Sequence, residues 1–133
     1  MEEARLDPDV VLLTVPAQTA YLGVLRTAAA GLAARLQFTL DEIEDLRIAV
    51  DEACMMLIRL AVPDAELECR FTVTVDELGV EVAVPGKPGA SPPDTASFSW
   101  TLLTTLTSAA RAETSADGTV RIALTARRST PGR

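Results

Sequence analysis

Histidine does not occur among the 133 residues. Its absence excludes His-based catalytic triads, histidine general bases, a phospho-accepting histidine and histidine metal ligands. Cysteine occurs twice, at Cys54 and Cys69, which excludes a Cys-rich zinc site. Their spacing of 15 matches no redox or metal motif, so both read as reduced, buried thiols. No apolar run approaches the ~18 residues of a membrane span. The first residues, Met1-Glu2-Glu3, are acidic where a signal peptide is basic, and the expected location is the cytoplasm. Cations are scarce: 12 Lys+Arg against 19 Asp+Glu leave a net charge of −7. Phosphate neutralisation needs clustered cations, so the chain is a poor candidate for direct nucleic-acid binding and a better one for a positively charged partner.

What remains is a globular composition, 48% hydrophobic and 23% charged, at a length that fits one domain with its own core. Residues 1–8 are polar and read as a flexible start. Val10 to Val15 is a β-branched and leucine run closed by Pro16, the pattern of a strand. Thr19 is a candidate cap for a first helix. There Leu22, Leu25, Ala29, Leu32, Ala33 and Leu36 recur at helical spacing. Thr39 precedes Glu42 by three residues, the spacing of a capping box. Ile43, Leu46, Val50, Ala53, Leu57 and Leu60 then define a long second helix that Pro63 ends.

The period changes in the second half. Leu67, Cys69, Phe71, Val73 and Val75 alternate with polar residues, Asp76 to Gly79 supplies a turn, and Val80, Val82 and Val84 alternate again. That is a hairpin. Pro85 to Pro93 holds four of the eight prolines and reads as a loop. Phe98 to Arg111 has helical spacing through Leu102, Leu103, Leu106 and Ala110. Asp117-Gly118 turns the chain into a last strand through Val120, Ile122 and Leu124. The order β-α-α-β-β-α-β predicts an α/β two-layer sandwich: a mixed, mostly antiparallel four-stranded sheet with three helices on one face. The domain is expected over residues 9–127, with a flexible tail over 128–133.

The densest chemical feature is acidic. Asp41, Glu42, Glu44, Asp45, Asp51 and Glu52 fall within twelve residues, against Arg47 alone. Acids near a helix N-terminus are favoured by its dipole, so the first four read as a solvated face. Asp51 and Glu52 lie inside an apolar stretch, where a site role competes with simple solvation. Phe98, Trp100, Met55 and Met56 read first as core residues. Plugging of a pocket is the alternative for the two aromatics.

The segment Thr39-Leu-Asp-Glu-Ile-Glu-Asp-Leu-Arg-Ile-Ala-Val-Asp-Glu-Ala-Cys54 resembles the second-helix region of the RsbW/SpoIIAB anti-sigma factors. These are serine-kinase members of the histidine-kinase-like ATPase superfamily, the Bergerat fold. Val15-Pro-Ala-Gln with Leu25-Arg26 is similar to their first strand and helix. Phe98-Ser-Trp100 and Leu124 to Arg128 resemble the actinobacterial branch that includes UsfX. The resemblance covers about residues 10–128.

The resemblance implies a nucleotide site, which this chain matches only in part. The family's Glu-x-x-x-Asn motif supplies a catalytic Glu and a Mg²⁺-ligating Asn. Here the Glu is Glu52, a remnant, and the Asn position is Met56, a thioether unsuited to a hard cation. The Asp-x-Gly-x-Gly motif maps onto Gly86 and Gly89 without its adenine-binding Asp. The Gly-x-Gly-Leu motif maps onto Ser97 and Ser99. The closing Gly-Thr is present as Gly118-Thr119. No metal site and no cofactor are expected, with Mg·ATP the alternative and Asp51 or Asp94 its substitute ligands.

Partner binding in the family does not need those motifs. The resemblance places Leu22 and Arg26 on the first-helix surface that grips a sigma factor or an anti-anti-sigma factor. The function implied is an anti-sigma factor that sequesters an alternative, stress- or development-type sigma factor. Release would come by partner switching with an anti-anti-sigma protein, and the resemblance implies a homodimer through the sheet edge or the first strand. Two alternatives stay open: an active serine kinase of the anti-anti-sigma protein, and a small-ligand sensor using the relic pocket.

Overall fold

The computed structural model describes residues 7–129; the outer parts of the two expected flexible ends, 1–6 and 130–133, lie outside the described residues. Strand β1 spans Asp9–Pro16. A short 3-10 turn, Thr19–Tyr21, leads into α1, Leu22–Arg35, and α2 follows at Leu40–Ile58. Strands β2, Glu66–Val73, and β3, Glu77–Pro85, form the hairpin. Helix α3 is Phe98–Leu106, and β4, Ala109–Thr114, and β5, Thr119–Arg127, close the fold.

The sheet has five strands in the order β1-β2-β3-β5-β4, and every pairing is antiparallel. This corrects the expected four-stranded mixed sheet. The added strand, β4, was expected to continue the third helix. The helix stops at Leu106 because Thr107 turns to an extended backbone, φ −128°, and its hydroxyl donates to the Leu103 carbonyl at 2.6 Å. Ala109–Thr114 then pairs with β5, with Arg111 opposite Ala123 and Glu113 opposite Arg121. The α/β class and the helices on one face are as expected.

The helices cover one face of the sheet. Leu67, Cys69 and Phe71 of β2, Val80 and Val82 of β3, and Ile122 and Leu124 of β5 point into the core. They meet Leu25 and Ala29 of α1, Leu46, Val50 and Leu57 of α2, and Leu103 of α3. Alternation leaves Glu68, Arg70, Glu81 and Arg121 on the uncovered face, where Arg121 pairs with Glu81 at 3.5 Å. No polar or charged residue is buried among the described residues. Full burial of a large apolar side chain contributes roughly 1.5–3 kcal/mol, so this core is the main source of stability.

Local signals place most boundaries. The capping box at Thr39 forms as read: Glu42 N–H donates to Thr39 Oγ1 at 3.1 Å, and Thr39 N–H donates to Glu42 Oε1 at 2.7 Å. Thr19 makes no such cap; the residue before α1 is Tyr21, without a side-chain hydrogen bond. The second helix ends at Ile58, five residues before Pro63, and Leu60 instead offers its carbonyl to Lys87 N–H at 2.8 Å. The hairpin turns at Thr74–Glu77, where Thr74 N–H donates to the Glu77 carbonyl at 3.0 Å. Gly79 therefore lies in β3 opposite Thr72, and Val75 is exposed at the turn.

Candidate partner surface and nucleotide-site residues

Helices α1 and α2 pack side by side and place the expected partner residues. Leu22 is 3% exposed and belongs to the core, because it occupies the same buried stripe as Leu25, Ala29 and Ala33. This corrects its expected place on the partner surface. The exposed apolar residues at this end of α1 are Tyr21 and Val24. Arg26 stands at the seam between the helices. Its Nη1 donates to Asp51 Oδ1 at 2.5 Å, and both side chains are about one-third exposed, 37% and 32%. Leu25 and Val50, the residues preceding each partner, are buried, so the pair forms the rim of the packed contact.

The six acids of α2 take different roles. Glu42 serves the cap and also accepts the Ser129 backbone N–H at 2.9 Å. Burial opposes ionisation of Glu42, but the N–H donors of Thr39 and Ser129 outweigh it and hold the carboxyl below its ordinary value. Glu44 lies 3.6 Å from Arg47, and Asp41 and Asp45 are exposed. Asp51 answers Arg26. Glu52 is half-buried and makes no side-chain hydrogen bond or ion pair among the described residues.

The nucleotide-motif positions are only partly brought together. Glu52 and Met56 lie one turn apart on α2, and the Met56 thioether is buried in the core. Beyond the end of α2 the chain meets Gly86, whose N–H donates to the Gly118 carbonyl at 3.0 Å. A Cβ on Gly86 would lie 2.9 Å from Val120 Cγ2 and 3.0 Å from that carbonyl, so a side chain does not fit. Gly89 has φ +76° in open space. Ser97 caps α3: its hydroxyl accepts Trp100 N–H at 3.1 Å and donates to the Asp94 carbonyl at 2.7 Å. Ser99 follows in the first turn. Thr119 faces the uncovered side of the sheet, since its neighbour Val120 points into the core, and it is thereby separated from Glu52 and Met56.

The donors at Glu52 and Met56 are one half-buried carboxylate and one buried thioether. Magnesium requires oxygen ligands, and the position one turn after Glu52 offers buried sulfur. The substitute ligands are engaged elsewhere: Asp51 holds Arg26, and Asp94 Oδ1 accepts Ala96 N–H at 2.9 Å. No group of three or more Cys, Asp or Glu side chains suited to a metal ion occurs among the described residues. Two concavities, of about 500 and 600 Å³, lie on the uncovered face of the sheet and at its end. Neither includes Glu52 or Met56.

The aromatics divide. Trp100 is buried in the core as expected, but Phe98 is 79% exposed and neither packs nor plugs. It occupies the first position of α3. Sequence reasoning missed the Arg26–Asp51 pair, because the two residues are 25 apart and on different helices.

This arrangement defines a class of protein. The chain belongs to the histidine kinase-like ATPase domain family, whose profile matches residues 15–120. Among curated relatives, the serine-protein kinase RsbW of Bacillus subtilis (strain 168) is 43% identical over 81 residues, covering 59% of this chain and 51% of that protein. The anti-sigma-F factor RsbW of Mycobacterium tuberculosis (strain H37Rv) is 37% identical over 105 residues, covering 72% of this chain and 56% of that protein. The chain thus spans about half the length of the curated relatives it matches. A solved structure of the RsbU and RsbW domains of a Mycobacterium tuberculosis protein superposes with a TM-score of 0.70. It covers 94% of this chain and 34% of that one at 18% identity, a likeness of fold alone. No helix among the described residues is long and apolar enough to cross a membrane.

Proposed function

We propose that this chain is an anti-sigma factor that binds and sequesters an alternative sigma factor of the stress or development type. A competing anti-anti-sigma protein would release it, and the nucleotide pocket has been given up. The observation that carries the proposal is a contrast between neighbouring helices. On α1 Arg26, at the position the resemblance gives to the family's first-helix arginine, is about one-third exposed at the α1–α2 seam. On α2 the position of the metal ligand holds the buried thioether of Met56. Phosphoryl transfer is mainly positioning and charge neutralisation by metal, so losing that ligand disables the transfer while leaving the docking surface intact. The relatives named anti-sigma-F factor support the same reading.

A homodimer is supported by β1. It is an edge strand, and Val10, Val11 and Leu12 are exposed along it. Such an edge is a template for pairing with another chain. A protein of this kind acts on the sigma factor in the cytoplasm and needs no direct contact with nucleic acid. The exposed acids of α2, Asp41, Glu44 and Asp45, would meet basic surfaces of the partner. Added salt should then weaken the complex.

Calorimetric titration tests the proposal, using each alternative sigma factor of the source cell and then the anti-anti-sigma protein as competitor. Tight binding of one sigma factor that the competitor displaces supports it. Failure to bind any of them rejects it.

A further inference from the structure

The Arg26–Asp51 pair bridges two helices at the solvent-facing seam, with Nη1 of the arginine 2.5 Å from the carboxylate. Gly23 lies one turn before Arg26, and a Cβ there would stand 3.5 Å from Arg26 Nη2. The guanidinium therefore lies back along the first turn of α1, over a residue with no side chain. Asp51 takes one N–H of the guanidinium, and among the described residues the remaining donors meet no other acceptor. Arg26 is the first cation of α1, and Arg35 at its end is the other.

We propose that Asp51 is a positioning residue for partner recognition: it tethers Arg26 across the α1–α2 seam, so that the guanidinium is presented in one fixed plane to a hydrogen-bond acceptor on the partner. The inference rests on the sigma-factor reading above. An untethered arginine loses rotamer freedom when it binds, whereas a tethered one has already lost it in the free chain.

A double-mutant cycle tests this, with the sigma factor that the wild-type chain binds most tightly as the probe. Asp51→Ala should weaken binding by about tenfold, the scale of one immobilised side chain. In an Arg26→Ala background the same change should have no further effect, because Asp51 acts through Arg26. Asp51→Glu, which can still reach the guanidinium, should restore most of the affinity. In the free chain, NMR should show restrained Arg26 Nη groups in the wild type and averaged ones in Asp51→Ala. Equal losses from Asp51→Ala in both backgrounds would overturn the proposal, as would unchanged or tighter binding, or averaged Arg26 signals in the wild type. If wild type binds no sigma factor, the functional reading falls and takes this one with it. If wild type binds and Asp51→Ala is neutral, only the positioning role falls.

Discussion

Glu42 and Ser129, 87 residues apart, are joined by one hydrogen bond: the Ser129 backbone N–H donates to Glu42 Oε2 at 2.9 Å. The same carboxylate closes the capping box through Thr39 N–H. One acid thus starts α2 and holds the chain that leaves β5. The segment after β5 is tied again where Arg128 N–H donates to the Asp76 carbonyl at 2.8 Å. Residues 128 and 129 are therefore anchored, at the start of a stretch whose composition reads as a free tail.

An acid dependence follows from that contact. Glu42 ionises more easily folded than unfolded, where its ordinary value is 4.5. A lowered folded value means that its contribution is complete above about pH 4.5 and is lost as pH falls through the folded value. Glu42→Gln should lower stability at pH 7 by about 1 kcal/mol, and the gap to wild type should narrow below pH 4. Thr39→Ala should cost about 1 kcal/mol as well. Urea midpoints at pH 7 and pH 3.5 check both, and a pH-independent gap for Glu42→Gln would contradict the assignment.

Glycine substitutions should divide by site. Gly86→Ala forces a Cβ against Val120 Cγ2 and the Gly118 carbonyl, and that carbonyl is already held by the Gly86 N–H. We expect a loss of about 1–3 kcal/mol. Gly31 lies inside α1 with nothing within 4 Å of an added Cβ, so Gly31→Ala should stabilise by about 0.5–1 kcal/mol. Chemical denaturation of the two variants reads both signs.

The cysteines should be silent in the folded protein. Both are buried free thiols. Burial pushes Cys69 up to about 12, and it pushes Cys54 upward too, with further push from nearby Cys69 and Asp51 against the opposing Arg26. The thiolate is the reactive form, so a disulfide reagent at pH 8 should label neither cysteine until the chain unfolds. Because the folded values are raised above the ordinary 9.0, stability is full below about pH 9 and declines as pH rises beyond it. Rapid labelling of the native protein would contradict this and reopen a redox role.

The legible parts of the fold were those with a strong local cause. The alternation in Leu67–Phe71 and Val80–Val84, the capping box at Thr39 and the helical spacing from Leu46 to Leu57 each place an element correctly. Strand β4 was illegible because Ala109-Ala-Arg-Ala-Glu-Thr114 has little intrinsic β preference and is a strand by virtue of its pairing with β5. The candidate site divides in the same way. The thioether of Met56, one turn after Glu52, is visible in sequence as chemistry. The burial of Leu22, the exposure of Phe98 and the engagement of Arg26 by Asp51 are tertiary outcomes that spacing along the chain does not encode.

The central claim is that partner binding has been kept while nucleotide chemistry has been lost. The most direct measurement is the affinity of nucleotide-stripped protein for its sigma factor, with and without Mg·ATP. The account predicts the same tight dissociation constant in both conditions and no phosphate transferred to the anti-anti-sigma protein. Binding that appears only with Mg·ATP, or a phosphorylated anti-anti-sigma protein, would contradict it.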